Sequence, residues 1–260
     1  MTAAASHEGS RKAALITGGA RRIGRAIALQ LAEDGWDIAV HYRSSRSEAE
    51  GLVRELRGRG VHAMAAHCEL ADAEAVDALI PACVQKLGAL SLLVNNASLF
   101  EYDRAARFEA ARFDRLAAIN LRAPLQLARA FAAQVPEAVQ GCIVNLLDQK
   151  VFNLNPDFFS YTVTKIALEG ATRALAQALA PRVRVCGLAP GITLVSGEQS
   201  EESFRRAHSH APLGRSSEIA DIVQAVRYLA SAPAVTGITL TVDGGQHLWP
   251  LKRDVQFEVN

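Results

Sequence analysis

Seven short apolar runs, each separated from the next by a segment of helical periodicity, constrain the fold of this chain more than any other feature. The runs are apolar at successive positions, as expected for strands buried between two layers of helices. The intervening segments carry apolar residues on one face, as Ile23, Ile27 and Leu31 do. This alternation predicts an α/β fold with one doubly wound, seven-stranded parallel sheet flanked by helices. The predicted strands are 13–17, 37–42, 61–66, 90–95, 141–147, 183–189 and 237–242, and the clearest helices are 72–87, 112–134 and 162–180.

No linker-like stretch or internal repeat divides the 260 residues, so we expect a single domain over residues 12–260. Residues 1–11 are small and polar, without the apolar segment of a secretory signal, and are predicted to form a disordered tail. No stretch reaches the ~18 apolar residues that a membrane span needs. We therefore expect a cytoplasmic protein that has no membrane partner.

Basic and acidic residues nearly balance, with 28 lysines and arginines against 27 aspartates and glutamates. This balance gives no electrostatic reason to expect nucleic acid as a partner. The four cysteines are scattered without a C-x-x-C pair and are predicted to be reduced thiols in a reducing compartment. His208 and His210 have no further ligand cluster in the sequence around them, so we predict a solvated loop there and no metal site.

The first predicted strand runs into ITGGARRIGRAIA, which is a strand, a glycine-bearing turn and a helix in the order typical of a phosphate-binding site. Gly18 permits a tight turn, and Gly24 allows the helix to pack close to the strand. Free N–H groups at the start of the helix would bind a pyrophosphate. Arg22 occupies a position where a middle glycine is common. A purely structural turn is the alternative.

The second strand ends in HYRSSRSE, without the acidic residue that binds the ribose of NAD in many dinucleotide folds. Arg43, Ser44 and Ser45 instead offer a positive charge and two hydroxyl groups, which suit the 2′-phosphate of NADPH. The sequence therefore favours NADPH over NADH as the cofactor. A solvated helix start is the alternative.

Tyr161 and Lys165 form a Tyr-x-x-x-Lys pair on one helix face. We expect the lysine to lower the pKa of the tyrosine and so favour proton donation. Asp148 ends an apolar run thirteen residues earlier, where a tyrosine-dependent ketone reductase would carry a hydroxyl. A carboxylate would repel the oxyanion that a ketone forms, so Asp148 indicates another substrate, unless it is only a turn residue.

These motifs, taken in order, resemble those of the short-chain dehydrogenase/reductase family over residues 12–247. The resemblance implies a Rossmann-type domain. Within the family, the chain is most similar to the pteridine reductases, through TGGARRIG, HYRSS, NNASLF, PGITL and the aspartate in place of a serine. The segments that carry the family resemblance are Thr17–Gly24, Asn95–Ala97, Asn120, Tyr161-x-x-x-Lys165, Pro190-Gly191 and Val242–Gly245.

The resemblance assigns Tyr161 as the proton donor, Lys165 as its partner at the nicotinamide ribose, and Asn120 as the holder of a water that links Lys165 to solvent. It also implies that Ile192 meets the nicotinamide through its backbone. Glu69 stands where the family usually has an aspartate near the adenine. The implied cofactor contacts are Gly18, Arg22, Ile23, Gly24, Tyr42, Arg43, Ser44, Ser45, Glu69, Leu70, Asn95, Ala97, Tyr161, Lys165, Pro190, Gly191 and Ile192.

Pterin reduction adds hydride to a ring carbon and a proton to a ring nitrogen, so no strong oxyanion forms and a carboxylate at Asp148 is tolerated. We therefore hypothesise an NADPH-dependent reductase that converts a dihydropterin to a tetrahydropterin. Asp148 and Tyr161 would contact the substrate together with Arg22, Ser98 and Phe100, whose ring would stack on it. The alternatives are a reductase of another carbonyl or quinone substrate, and an NADP(H)-binding regulator with little turnover. Phe100 is otherwise an ordinary core residue.

The last ten residues, LKRDVQFEVN, alternate polar with apolar positions, so that Val255, Phe257 and Val259 would share one face of an extended segment. The family resemblance implies a homotetramer built partly from helices 112–134 and 162–180. We therefore predict that the final ten residues are ordered, pack at a subunit interface and help to close a substrate pocket across it. A frayed terminus is the alternative.

Overall fold

The sheet contains seven parallel strands in the order β3-β2-β1-β4-β5-β6-β7. The computed structural model describes residues 12–195 and 199–258, so the predicted tail at 1–11 lies outside the described residues. All seven predicted strands are confirmed, and their ends differ from the prediction by at most two residues. The strands are β1 (Ala13–Ile16), β2 (Asp37–Tyr42), β3 (Ala63–His67), β4 (Leu90–Asn95), β5 (Gly141–Leu146), β6 (Val183–Pro190) and β7 (Thr239–Val242).

The helices between the strands begin and end for local reasons. At the start of the third helix, for example, Asp72 accepts hydrogen bonds from the backbone N–H groups of Glu74 and Ala75. The helices are α1 (Arg22–Glu33), α2 (Arg46–Gly58), α3 (Ala73–Leu87), α4 (Ala110–Ala117), α5 (Ala123–Gln134), α6 (Phe159–Leu179), α7 (Glu201–Ser209), α8 (Ile219–Ser231) and α9 (Val255–Glu258). Of these helices, none combines the length and the apolar character needed to cross a bilayer.

Helices cover both faces of the sheet, which confirms the doubly wound prediction. On one face, α1, α2 and α8 pack Ile27, Leu52 and Val226 against the strands. On the other face, α3 and α5 contribute Ile80 and Phe131, which are almost wholly buried. The chain leaves β1 and β4, which are neighbours, towards opposite faces, and this reversal opens a crevice at the carboxyl ends of the strands.

Two predicted elements need correction. The single helix predicted at 112–134 is interrupted by a π-helical turn at Ala118–Arg122, which separates α4 from α5. The loop predicted around His208 is instead the last turn of α7. Ser200 caps the start of this helix by accepting a hydrogen bond from the backbone N–H of Ser203. Serine at this position satisfies a free N–H group of the helix and so favours it over a loop.

The C-terminal segment is folded as far as Glu258, but the extended stripe predicted there is wrong. Val255–Glu258 form one helical turn, in which the backbone N–H of Phe257 donates to the carbonyl of Asp254. Val255 is buried whereas Phe257 is 39% exposed, so the two side chains do not share one buried face. Val259 lies outside the described residues. Contacts of Asp254 with the rest of the chain, described below, fix where this turn begins.

Candidate active site

The turn after β1 owes its shape to two glycines and to Thr17. Gly18 has a φ of +60°, in the left-handed region that favours glycine. A Cβ atom on Gly24 would lie 2.4 Å from the carbonyl oxygen of Gly18 and 2.7 Å from Nδ2 of Asn96. The hydroxyl of Thr17 accepts hydrogen bonds from the backbone N–H groups of Asn96 and Ala97, each at 2.9 Å. The tight turn and the close approach of α1 are therefore confirmed.

Arg22 begins α1 in a left-handed backbone conformation, with a φ of +52°. This conformation is uncommon for a residue with a Cβ atom and costs on the order of 1–3 kcal/mol, a strain found mainly at functional sites. Its exposed side chain donates from Nη2 to the carbonyl oxygen of Val195, 3.0 Å away. Arg22 thus reaches from the glycine turn to the loop after β6. Its neighbour Arg21, which sequence reasoning missed, pairs with Glu48.

The predicted 2′-phosphate residues lie together where β2 ends. Tyr42 is buried, while Arg43 and Ser44 are exposed. Nε of Arg43 lies 4.0 Å from Oε2 of Glu69, and the other carboxylate oxygen of Glu69 accepts a hydrogen bond from the backbone N–H of Ala71 at 3.1 Å. Glu69 therefore stabilises the turn after β3 and lies next to Arg43. The sequence alone did not indicate these two contacts.

A cavity of about 470 Å³ opens at the carboxyl ends of the central strands. The predicted residues that line it are Gly18, Arg22, Ile23, Gly24, Ala97, Ser98, Phe100, Asp148, Tyr161, Lys165, Pro190, Gly191 and Ile192. The predicted residues that do not line it are Tyr42, Arg43, Ser44, Ser45, Glu69, Leu70, Asn95 and Asn120. The lining residues that sequence reasoning missed are Arg21, Asn96, Leu146, Leu147, Gln149, Lys150, Thr193, Leu194, Asp254 and Val255.

Tyr161 and Asp148 are directly hydrogen-bonded in the wall of this cavity. The hydroxyl of Tyr161 donates to Oδ2 of Asp148 at 2.9 Å, and Oδ1 of Asp148 accepts from the backbone N–H of Lys150 at 2.9 Å. Desolvation raises the pKa of Asp148. Desolvation, followed by the neighbouring Asp148, raises the pKa of Tyr161 well above its ordinary value of 10. Asp148 is therefore more than a turn residue, because its side chain bonds the tyrosine.

The prediction that Lys165 lowers the pKa of Tyr161 is wrong for this structure. Lys165 is buried, and its Nζ donates to the carbonyl oxygen of Leu146 at 2.7 Å. That nitrogen lies 5.7 Å from the centroid of the tyrosine ring. Burial lowers the pKa of Lys165 to about 8. The carboxylate of Asp148, and not the ammonium, is bonded to the tyrosine hydroxyl.

Asn120 lies in the π-helical turn and holds the loop after β4. Its Oδ1 accepts hydrogen bonds from the backbone N–H of Leu99 at 2.8 Å and from the hydroxyl of Ser98 at 3.2 Å. Its Nδ2 donates to the carbonyl of Leu99 and to the hydroxyl of Thr164 on α6. Such π turns are frequent at functional sites. The buried asparagine therefore connects the loop after β4 to α6 from the middle of a helical segment, while its water-holding role stays a prediction.

Phe100 forms an aromatic wall beside the tyrosine. Its ring stacks on Phe158 with centroids 4.2 Å apart and meets Tyr161 edge-on at 4.7 Å. Because Phe100 is 39% exposed, the ordinary-core alternative does not hold. Phe158, which caps α6 with a left-handed φ of +54°, also stacks on Phe257 of α9 at 6.1 Å. The wall therefore extends from the loop after β4 to the C-terminal segment.

The backbone of Ile192 is held from two sides at the opposite edge of the cavity. Its N–H donates to Oε1 of Gln246 at 3.2 Å, and its carbonyl oxygen lies 2.9 Å from Nδ1 of His208 on α7. A Cβ atom on Gly191 would lie 2.2 Å from the hydroxyl of Ser216, so this position requires glycine. The contact of Ile192 with a nicotinamide stays a prediction.

The C-terminal segment lies against the cavity of its own chain. Asp254 and Val255 line it, and the carboxylate of Asp254 accepts a hydrogen bond from Nζ of Lys150 at 2.8 Å. Arg253 forms two hydrogen bonds with the fully buried Asp157, at 2.7 and 2.9 Å. The segment therefore closes one side of the pocket of its own chain, whereas the prediction was for a pocket across a subunit interface. Its place at a subunit interface stays a prediction.

The doubly wound sheet, the glycine turn and the tyrosine–lysine pair at one cavity are the features of an oxidoreductase built on a nucleotide-binding fold. Residues 18–247 match the family described as enoyl-(acyl carrier protein) reductase. The chain is also 35% identical over 242 residues to 3-oxoacyl-[acyl-carrier-protein] reductase FabG of Staphylococcus aureus, a match that covers 91% of this chain and 98% of the relative. The chain belongs to the short-chain dehydrogenase/reductase family, and the resemblance to that family seen in the sequence is confirmed.

Two solved structures show the same fold. The FolM alternative dihydrofolate reductase 1 of Brucella canis, complexed with NADP, is 41% identical, with a TM-score of 0.87 over 92% of this chain and 96% of that one. A blue fluorescent protein from a metagenomic library, in complex with NADPH, is 34% identical, with a TM-score of 0.83 over 90% of this chain and 97% of that one.

Proposed function

We propose that this chain is an NADPH-dependent reductase of a pterin-type substrate, which converts a dihydropterin to a tetrahydropterin. The observation that carries the proposal is the 2.9 Å hydrogen bond from the Tyr161 hydroxyl to the carboxylate of Asp148. A carboxylate there opposes the oxyanion of ketone reduction, whereas protonation of a ring nitrogen produces no negative oxygen to repel. The 41% identity to an alternative dihydrofolate reductase supports the same substrate class.

The residues around the glycine turn fit NADPH. The glycine turn and the start of α1 line the cavity, and free N–H groups at a helix start suit a pyrophosphate. Arg43, with the hydroxyls of Ser44 and Ser45, suits the 2′-phosphate. Both similar solved structures hold NADP or NADPH. When bound, this cofactor supplies the hydride.

Tyr161 delivers the proton that balances the hydride. Its O–H bond breaks as a new N–H bond forms at the substrate ring, and the double bond of the C=N group accepts both hydrogens. The raised pKa of Tyr161 keeps the hydroxyl protonated at neutral pH. The raised pKa of Asp148 suits a carboxyl group that returns a proton across the same hydrogen bond. General acid catalysis of this kind contributes about 10²–10⁴-fold.

The other walls of the cavity orient a flat ring. Phe100 presents a partly exposed face next to Tyr161, which suits stacking with a heteroaromatic substrate. The Ser98 hydroxyl, which donates to Asn120, offers lone pairs to substrate N–H groups. Arg22 crosses from the glycine turn to the loop after β6, where its guanidinium would lie near a bound ring.

Ketone reduction is the second candidate, because the chain is 35% identical to a 3-oxoacyl reductase. Steady-state NADPH oxidation with a dihydropterin, a 3-oxoacyl thioester and small ketones separates the two. We expect turnover with the dihydropterin, its loss in Asp148→Ser, and some gain of ketone turnover in that variant. Asp114→Asn, on the exposed face of α4, is the matched control. Dihydropterin turnover that survives Asp148→Ser would contradict the proposal.

A further inference from the structure

A buried ion pair joins the C-terminal segment to the 3₁₀ turn Gln149–Val151, which follows Asp148 and is called the catalytic turn below. Lys150 is only 2% exposed, and its Nζ donates to Oδ2 of Asp254 at 2.8 Å and to Oδ1 of Asn155 at 2.7 Å. Lys150 and Asp254 both line the cavity that contains Tyr161. Removing one partner of such a pair leaves an uncompensated buried charge, so the two side chains are strongly coupled.

The same lysine lies next to the catalytic carboxylate. The backbone N–H of Lys150 donates to Oδ1 of Asp148 at 2.9 Å, within the short 3₁₀ turn that follows β5. The ammonium of Lys150, however, is bonded to Asp254 and not to Asp148. The buried ammonium of Lys150 therefore lies near two carboxylates. It is hydrogen-bonded to Asp254, which is the more distant of the two in the sequence.

A second anchor keeps the carboxylate of Asp254 in place. The backbone N–H of Asp254 donates to Asp157 at 2.9 Å, and the adjacent Arg253 bonds both oxygens of Asp157. These contacts fix the backbone on both sides of the Lys150 contact. The position of Asp254 next to the catalytic turn therefore depends on the contacts with Asp157 as well as on Lys150.

We propose that Asp254 is a positioning residue for the proton couple of Asp148 and Tyr161. By holding the ammonium of Lys150, Asp254 prevents it from neutralising Asp148, which therefore keeps a high affinity for a proton. The inference rests on the proposed function, in which this couple protonates the substrate. The ionisable groups that face Asp148 are Tyr161 and Lys165 from α6, Lys150 from its own turn, and Asp254 from the C-terminal segment.

The electrostatics of the site agree with this geometry. The charge of Lys150 lowers the pKa of Asp148, whereas the charge of Asp254 raises it. Asp254 also adds to the rise in the pKa of Tyr161, after desolvation and Asp148. Removing the two charges one at a time should therefore move the proton affinity of Asp148 in opposite directions. A purely structural pair would not produce that pattern.

The test is a carboxyl titration followed by carbon-13 NMR in protein labelled at the aspartate γ-carbon, with the Asp148 signal assigned by its loss in Asp148→Asn. We expect Asp254→Asn to lower the apparent pKa of Asp148 by about one unit or more, because an opposite charge within reach shifts a carboxyl by about 1–3 units. Lys150→Met should raise it. Glu258→Gln, an exposed change in α9, is the control and should leave it unchanged.

The double variant Lys150→Met with Asp254→Asn keeps the test available if a single variant folds poorly, because removal of both buried charges is often tolerated. Its Asp148 pKa should return close to that of the wild type. Equal Asp148 pKa values in all variants, or shifts of the same sign in both single variants, would overturn the inference. A wild type that fails to reduce dihydropterin would instead sink the proposed function, since the titration needs no turnover.

Discussion

Nδ1 of His41, in β2, accepts a hydrogen bond from the backbone N–H of Gly18, 2.9 Å away in the glycine turn. The opposite nitrogen of the ring lies 3.0 Å from the carbonyl oxygen of Cys68 and donates to it. The two bonds together require the neutral imidazole that carries its proton on Nε2. Burial lowers the pKa of His41 to about 4, which keeps the ring neutral. The side chain of His41, which lies outside the cavity, thus helps to fix the shape of the glycine turn.

This histidine should make the protein sensitive to mild acid. Its pKa is about 4 in the folded chain and 6.5 ordinarily, so its stabilising contribution is full above pH 6.5 and is lost as the pH falls through about 4. The difference corresponds to about 3 kcal/mol. Urea unfolding between pH 7 and 4 should show a smaller loss of stability in His41→Gln than in the wild type. His62→Gln, an exposed histidine, is the control and should follow the wild type. Parallel curves for the wild type and His41→Gln would refute the assignment.

Gly24→Ala should disrupt the nucleotide turn. The added Cβ atom would meet the carbonyl oxygen of Gly18 at 2.4 Å, and backbone atoms cannot move aside as a flexible side chain can. We expect NADPH affinity, measured by fluorescence titration, to fall at least about tenfold, which corresponds to about 1.4 kcal/mol. Gly170→Ala is the matched control, because its Cβ would meet nothing within 4 Å on α6 and should stabilise the helix by about 0.5–1 kcal/mol.

Tyr161→Phe should lower the turnover number by at least about 10², because it removes the hydroxyl that donates the proton. NADPH binding should remain, since the variant leaves unchanged the glycine turn and the end of β2, where we propose that the phosphates bind. Tyr228→Phe, on an exposed surface of α8, is the control and should leave both quantities unchanged. Pre-steady-state NADPH oxidation measures the effect, and turnover equal to that of the wild type would rule out Tyr161 as the acid.

Arg43→Ala should weaken NADPH much more than NADH. A charge-assisted hydrogen bond to the 2′-phosphate contributes about 1.5–3 kcal/mol, so the Michaelis constant for NADPH should rise roughly 10- to 100-fold. The constant for NADH should change little. Arg25→Ala, which breaks an exposed pair with Glu55, provides the control. Equal effects on both cofactors would show that Arg43 does not contact the phosphate.

Deletion of residues 251–260 tests the two roles predicted for the C-terminal segment. The truncated chain loses Asp254 and Val255 from the cavity wall and leaves the buried Asp157 without Arg253. We expect a higher Michaelis constant for the substrate and, in light scattering, a mass below that of a tetramer. A truncated protein that remains tetrameric with an unchanged constant would show that the segment performs neither role.

Much of the fold could be predicted because its signals are local. A strand buried on both faces is apolar at successive positions, and each such run is visible in the sequence without knowledge of its neighbours. Gly18, Gly24, Tyr161 and Lys165 were found in the same way, since short spacings fix their geometry. Asp148 stood out because it replaces a hydroxyl at a known distance from Tyr161.

The missed residues depend on contacts between distant parts of the chain. Lys150 and Asp254 are 104 positions apart, and nothing near either residue in the sequence indicates that they pair. The predicted direction of the Tyr161 pKa shift was wrong for a related reason. Spacing placed Lys165 on the right helix face, but only the folded structure shows that its ammonium bonds the Leu146 carbonyl. The helical turn at Val255–Glu258 likewise follows two ion pairs with distant residues, Arg253 with Asp157 and Asp254 with Lys150. The alternation of polar and apolar residues in the local sequence does not reveal these pairs.

The pairing of Arg253 with Asp157 bears on how the protein is synthesised. The two residues are 96 positions apart, so at 5–20 residues per second a ribosome adds the arginine roughly 5–20 s after the aspartate. Throughout that interval Asp157 lacks the two hydrogen bonds from Arg253, and its remaining cationic partner is the half-exposed Arg104 at 3.5 Å, so desolvating the carboxylate would be costly. The start of α6 and the aromatic wall therefore gain their last contacts only after the C-terminal segment has been synthesised.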